Sequence, residues 1–382
     1  MATRTTFLAE RLFDGGGGAA ATDRLVHVDE GRILAIEPAE GRRPANAITV
    51  PILAPGFIDL QINGAGDALF NDTPDARTIA TIAAAARKGG TAHLLPTYIT
   101  APGTGFTQAL AAVGDAVRAG VPGILGVHLE GPFLSPARPG IHPPDAIRPL
   151  TAPDCDLICD AAPLMRLVTL APERQDPALL KRLIASGVRV FAGHSEASDA
   201  QMAAAADAGL IGATHLFNAM PPLAGRQPGI VGAVLTEPGL FAGIIADAIH
   251  VAPRNLSLAA RLMPERLCLV TDAMPTLAGK NTQFTLMGRP IRLVGNRLEG
   301  TDGTLAGAHL SMIEAVRNMM ALADVSPGRA IAMASANPAR ALGLERELGA
   351  ISPGYRASMT LLDDSFAVRQ VMVDGRLFAA AD

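Results

Sequence analysis

Read from residue 51, the hydrophobic pattern alternates short apolar runs with longer, alanine-rich stretches. The runs are GFIDLQI from 56, TAHLLPT from 91, GILGVHLEG from 123, LMRLVTLAPE from 164, GVRVFAGHS from 187, GATHLFN from 212, FAGIIADAIH from 241 and LCLVTDAM from 267. Their starts lie 23 to 41 residues apart, the length of a strand with its crossover helix. Between them, DARTIATIAAAARKG (75–89) and SDAQMAAAADAG (198–209) carry helical patterns. Eight such units predict an α/β fold, a (β/α)8 TIM-like barrel over 51–345, rather than an open sheet.

The pattern differs at both ends. Residues 24–40 predict a hairpin around Asp29-Glu30-Gly31, and 354–378 predict further strands turning at Asp374-Gly375. Segments 1–50 and 346–382 are therefore expected to pair into one small β-sandwich. The four glycines at 15–18 lack the strand–helix context of a phosphate cradle and read as a loop. His27 is expected on the sheet surface.

Composition narrows the function. The 382 residues are 49% hydrophobic and 18% charged, as in a globular protein. A net charge of −4, with no cluster of basic and aromatic residues, argues against nucleic-acid binding. No apolar stretch reaches the roughly 18 residues of a membrane span. The N-terminus breaks into charges and glycines before a signal-peptide core could form. Cys155, Cys159 and Cys268 lack zinc-finger spacing and suit reduced thiols in a cytoplasm.

The chemistry gathers where the runs stop. Glu130 closes the third, His194 the fifth and His250 the seventh; His215 and Asp272 come late in the sixth and eighth. In a barrel those ends converge on the catalytic face. Taken singly, each histidine suits a hydrogen-bonded core residue, and Asp272 suits a helix cap. Glu130 is harder to dismiss, because the Gly131-Pro132 that follows offers no partner and a buried carboxylate must pair, protonate or bind a metal. Jointly, Glu130, His194 and His215 form a three-ligand N/O set with an open position, the pattern of catalytic zinc.

At these residues the sequence resembles the N-acetylglucosamine-6-phosphate deacetylases, a branch of the amidohydrolase superfamily. The resemblance is carried in order by PGFIDLQING (55–64), HLEGPFL (128–134), GHSEAS (193–198), THLFNAM (214–220), RQPGIVGA (226–233), ADAIHV (246–251), LVTDAM (269–274) and DGTLAGA (302–308). It implies hydrolysis of the N-acetyl group of N-acetylglucosamine 6-phosphate. Glu130, His194 and His215 would hold the divalent metal, and Asp272 would serve as general base and later acid. Ile141, His142, Asn218, Ala219 and the turn Leu305, Ala306, Gly307 would meet substrate. Arg226 and His250 would lie near the sugar phosphate, where an arginine can pair with two phosphate oxygens. A homodimer is also implied.

One departure matters. Where many amidohydrolases end the first strand in His-x-His, this chain has Gln61 and Asn63. Carboxamides are poor transition-metal ligands beside imidazole, so a single metal is expected, with Gln61 and Asn63 filling space or bonding substrate or water. Zinc suits the ligand set, and iron, cobalt or manganese also fit. Two other readings stay open: a sister amidohydrolase acting on another N-acetyl sugar or a cyclic amide, and a non-catalytic sugar-phosphate sensor.

Overall fold

A computed structural model describes residues 4–161 and 164–380; the extreme ends of both terminal segments, 1–3 and 381–382, lie outside the described residues. Eight parallel strands follow one another round a barrel. They are β1 (Phe57–Ile62), β2 (Thr91–Ile99), β3 (Gly126–Glu130), β4 (Met165–Leu170), β5 (Arg189–Ala192), β6 (Gly212–Ala213), β7 (Phe241–Ile244) and β8 (Leu267–Leu269). Closure comes just beyond β8, where Ile62 bridges Ala273 in parallel and the Asp272 amide donates to the Gln61 carbonyl at 2.9 Å.

Helices pack outside, and their starts are written in the sequence. Helix α1 (Ala76–Arg87) is capped by Asp75, whose carboxylate accepts from the Thr78 amide, and it buries Ile79, Ile82 and Ala86. Helix α2 (Asp199–Asp207) opens on a capping box between Ser198 and Gln201. Buried polar residues inside the barrel include paired ones. His128 lies between the Thr97 and Thr169 hydroxyls at 3.1 and 2.7 Å, and burial pushes its imidazole down to about 4.

Both chain ends meet in one seven-stranded sheet, in the order 376–379, 368–373, 359–362, 48–55, 5–12, 21–29, 32–38. Its edge strand Arg32–Pro38 bonds back to the 354–357 segment through Ile33 and Tyr355, so the sheet curls around Phe7, Val26, Leu53 and Met359. Strand Ile48–Pro55 is central to it, so a division between residues 50 and 51 falls inside a strand. Among the described residues no helix is long and apolar enough to cross a membrane.

His93 on β2 joins barrel to sheet, its Nε2 lying 2.8 Å from the Ser358 hydroxyl. Burial pushes this imidazole down to about 4. The unfolded chain, with an ordinary histidine, therefore binds the extra proton first. Its contribution is complete above about pH 6.5 and is lost as pH falls towards 4. Urea unfolding as a function of pH should show this, and His93→Gln should remove about 3 kcal/mol of the stability otherwise lost as pH falls from about 7 to 4.

Candidate active site

The C-terminal ends of the strands surround a cavity of about 270 Å³, at the small end for ligand pockets. Glu130 is the last residue of β3. His194 lies two residues beyond β5, His215 two beyond β6 and Asp272 three beyond β8. All three adopt positive φ, at 49°, 31° and 48°. Non-glycine residues rarely occupy that region, and such strain concentrates at functional sites. The chain leaves each strand sharply and turns the side chain over the barrel mouth.

Glu130, His194 and His215 converge. Glu130 Oε1 lies 3.2 Å from His194 Nε2 and 2.9 Å from His215 Nε2, and the two Nε2 atoms are 3.1 Å apart. The loop after β3 fixes one tautomer: the Arg138 carbonyl, which can only accept, lies 2.9 Å from His194 Nδ1. His194 therefore carries its proton on Nδ1 and turns an Nε2 lone pair inward. Gly140 closes over the same ring, where a Cβ would stand 3.1 Å from Cε1.

Lone pairs this close repel unless positive charge, a proton or a cation, sits among them. Burial, the largest influence, disfavours charge on both Glu130 and His215. Yet the close contacts of Glu130 with the His194 and His215 rings hold it well below the usual carboxylate range, and the Glu130 contact raises His215. Two imidazoles and a carboxylate fit a divalent cation, and among the described residues these three form the one such group.

Asp272 stands beside them. Burial and the Glu130 charge push its carboxyl up to about 6. Its Oδ1 accepts from Asn63 Nδ2 at 2.7 Å and from Gln61 Nε2 at 3.1 Å, while Gln61 Nε2 also reaches Glu130 Oε2 at 3.2 Å. The positions of the absent His-x-His thus carry amide donors that bridge two carboxylates. Gln61 is absent from the cavity wall, its amide taken up by the two carboxylates. Asn63 does line the wall, and its buried Oδ1 has no protein partner.

Ile141, His142, Asn218, Ala219, His250, Leu305 and Gly307 line the cavity. His142 bonds the Thr100 hydroxyl at 2.8 Å, and its ring centroid is 4.3 Å from that of His194. Two expected residues do not reach it. Arg226 is exposed on its loop and absent from the wall, and Ala306 is buried behind it with Leu286, Ile291 and Leu298. Those three belong to a small antiparallel sheet spanning 283–300 that the sequence pattern did not announce. His250 is not at the close of β7 but six residues beyond, in a turn.

Sequence reasoning also missed Ile99, Ile245 and Met274 on the wall, and Asp247, whose carboxylate holds His250. Only Asp247 left a trace, as the Asp-x-x-His spacing of 247–250.

The amidohydrolase family model matches residues 52–378. An N-acetylgalactosamine-6-phosphate deacetylase of Escherichia coli O157:H7 is 38% identical over 93% of this chain and 94% of that protein. An N-acetylglucosamine-6-phosphate deacetylase of Haemophilus influenzae is 32% identical over 85% of this chain and 86% of its own length. Among solved structures, N-acetylglucosamine-6-phosphate deacetylase from Pasteurella multocida superposes with a TM-score of 0.94 at 31% identity, covering 99% of this chain and 100% of that one. With a matching model over most of its length and the metal-binding geometry at its barrel mouth, the chain belongs to the amidohydrolase family.

Proposed function

We propose that the chain removes the acetyl group of N-acetylglucosamine 6-phosphate, giving glucosamine 6-phosphate and acetate. The convergence of Glu130, His194 and His215 beside Asp272 carries this reading. When bound by the three ligands, one divalent cation, zinc in this reading, supplies Lewis acidity towards water and the acetyl carbonyl. Asp272 takes a proton from the attacking water and returns it to the sugar nitrogen as the C–N bond breaks. The amide donors of Asn63 and Gln61 hold Oδ1, which leaves Oδ2 to carry that proton. His142 and Asn218 line the space for the sugar.

A second reading, the galactosamine epimer, is favoured by the name of the E. coli O157:H7 relative. Acetate release from both 6-phosphates and from the unphosphorylated sugars tests the assignment. Equal rates with and without phosphate would contradict it. The reading also includes a cytoplasmic homodimer, and the cysteines support a reducing compartment, since all three are free thiols.

Asn63→Leu keeps the branching at Cγ and removes the donor. A hydrogen bond to a charged group is worth about 1.5–3 kcal/mol, so kcat should fall by about 10–100-fold with metal content unchanged. An unaltered kcat would remove Asn63 from the account.

A further inference from the structure

The loop 15–18, four consecutive glycines between strands 5–12 and 21–29 of the terminal sheet, forms part of a second cavity. It measures about 260 Å³, close to the 270 Å³ at the barrel mouth. Pro264 and Glu265 also line it and lead into β8, so it lies at the N-terminal end of that strand, away from the candidate active site. Arg329 and Arg340 complete it, from helices α3 (Pro327–Ala334) and α4 (Ala336–Leu342).

The wall is closely built. The loop lies flat on α3, where a Cβ at Gly328 would collide with the Gly18 carbonyl oxygen. Arg340 is pinned at one nitrogen. Its Nη2 donates to the Glu265 carbonyl at 2.8 Å and to Asn337 Oδ1 at 2.5 Å. The buried Asn337 is itself held by the Leu267 carbonyl at 2.7 Å. Those two bonds use both Nη2 protons, and the Nη1 and Nε donors have no protein acceptor among the described residues. Arg329 makes no hydrogen bond or ion pair among them either.

The donors outnumber the acceptors. Glu265 is the one carboxylate on the wall; it is exposed and pairs with neither guanidinium. The Gly16 amide is taken by Asp14 Oδ1 at 2.8 Å, while those of Gly17 and Gly18 donate to no protein group among the described residues. Gly15 and Gly17 take φ of 98° and 80°, whereas Gly16 between them does not take positive φ. Successive amides in a loop of alternating φ make an anion-binding concavity. A guanidinium adds a fork that matches two oxygens of a tetrahedral oxyanion.

We propose that this cavity binds a small phosphate-bearing anion, as free phosphate or a phosphate monoester. Its volume is below the usual range for drug-sized ligands, so the ligand is small. The loop belongs to the terminal sheet and both arginines to the barrel's helices, so the anion ties the two together. The site is separate from the barrel mouth and does not depend on the function proposed above.

Calorimetric titration of the metal-loaded protein tests it, with inorganic phosphate and with glucose 6-phosphate, which has no acetyl group to lose. Arg329→Gln and Arg340→Gln should each weaken one binding event about 10–100-fold, the range of a lost charge-assisted hydrogen bond. The barrel mouth is the same in parent and variants, so the difference reports this cavity. Arg118→Gln removes an exposed positive charge elsewhere and should bind like the parent. Tighter binding of the sugar phosphate identifies an ester as the ligand, and equal affinity identifies the phosphate group alone; either upholds the site. Phosphate should also raise the thermal unfolding midpoint more in the parent than in the two variants. Replacing Arg329 breaks no bond, so Arg329→Gln decides the matter even if Arg340→Gln fails to fold. Identical binding by the parent and Arg329→Gln, an equal loss in Arg118→Gln, or no binding by the parent would each overturn the proposal.

Discussion

Glu130→Gln is expected to lose its metal and its activity together. The carboxylate shares one oxygen with both imidazoles, at 3.2 and 2.9 Å, and is the one negative ligand of the three. An amide in its place keeps the shape but brings no charge, and it can turn an N–H towards two nitrogen lone pairs. Metal content after dialysis should drop from about one per chain to a small fraction. High added metal should restore part of the rate, because His194 and His215 remain. His194→Ala and His215→Ala should behave alike, since affinity depends on the full set. A proton competes with the cation for the same lone pairs, and the Glu130 contact raises His215. Metal affinity in the parent should therefore weaken as pH falls and recover as it rises. Titration with a competing chelator between pH 5.5 and 8, about the range of an ordinary or moderately raised histidine, checks the sign. A variant that keeps full metal and full rate would remove Glu130 from the ligand set.

The barrel was legible because buried parallel strands are short apolar runs spaced by crossover helices, and all eight runs became its eight strands. The convergence of Glu130, His194 and His215 was legible because barrel geometry sends strand ends to one face. Their local conformations were not: the positive φ of His194, His215 and Asp272 moves each beyond its strand. Gln61 shows another limit. A missing histidine can be read from sequence, but not that its replacement would donate to carboxylates on β3 and beyond β8, 69 and 211 residues away. The small sheet over 283–300 was hidden because its strands are short and mostly exposed, with only Leu286, Ile291 and Leu298 fully buried. Arg226 shows the converse: a motif match fixed its identity without fixing where an exposed loop carries it.

Asp272→Asn separates the two carboxylates. Asparagine keeps the size and can still accept from Asn63 and Gln61, yet it cannot take up a proton near neutral pH. Losing a general acid–base group costs about 10²–10⁴-fold in kcat. KM should change little, because the contacts with the sugar remain. In the parent, burial and the Glu130 charge raise the Asp272 carboxyl to about 6, while a cation in the cage draws it back down. Activity should therefore fall on the acid side as this base protonates, and the variant's residual rate should lack that limb.

The most direct test is the metal content of purified Asp272→Asn, measured by elemental analysis beside the parent and Glu130→Gln. With Glu130, His194 and His215 as the cage and Asp272 as the proton carrier, the aspartate variant holds about one metal per chain, like the parent, and is nearly inactive, while the glutamate variant is depleted. Depletion of Asp272→Asn to the level of Glu130→Gln would make Asp272 a ligand and contradict the division of labour at this site.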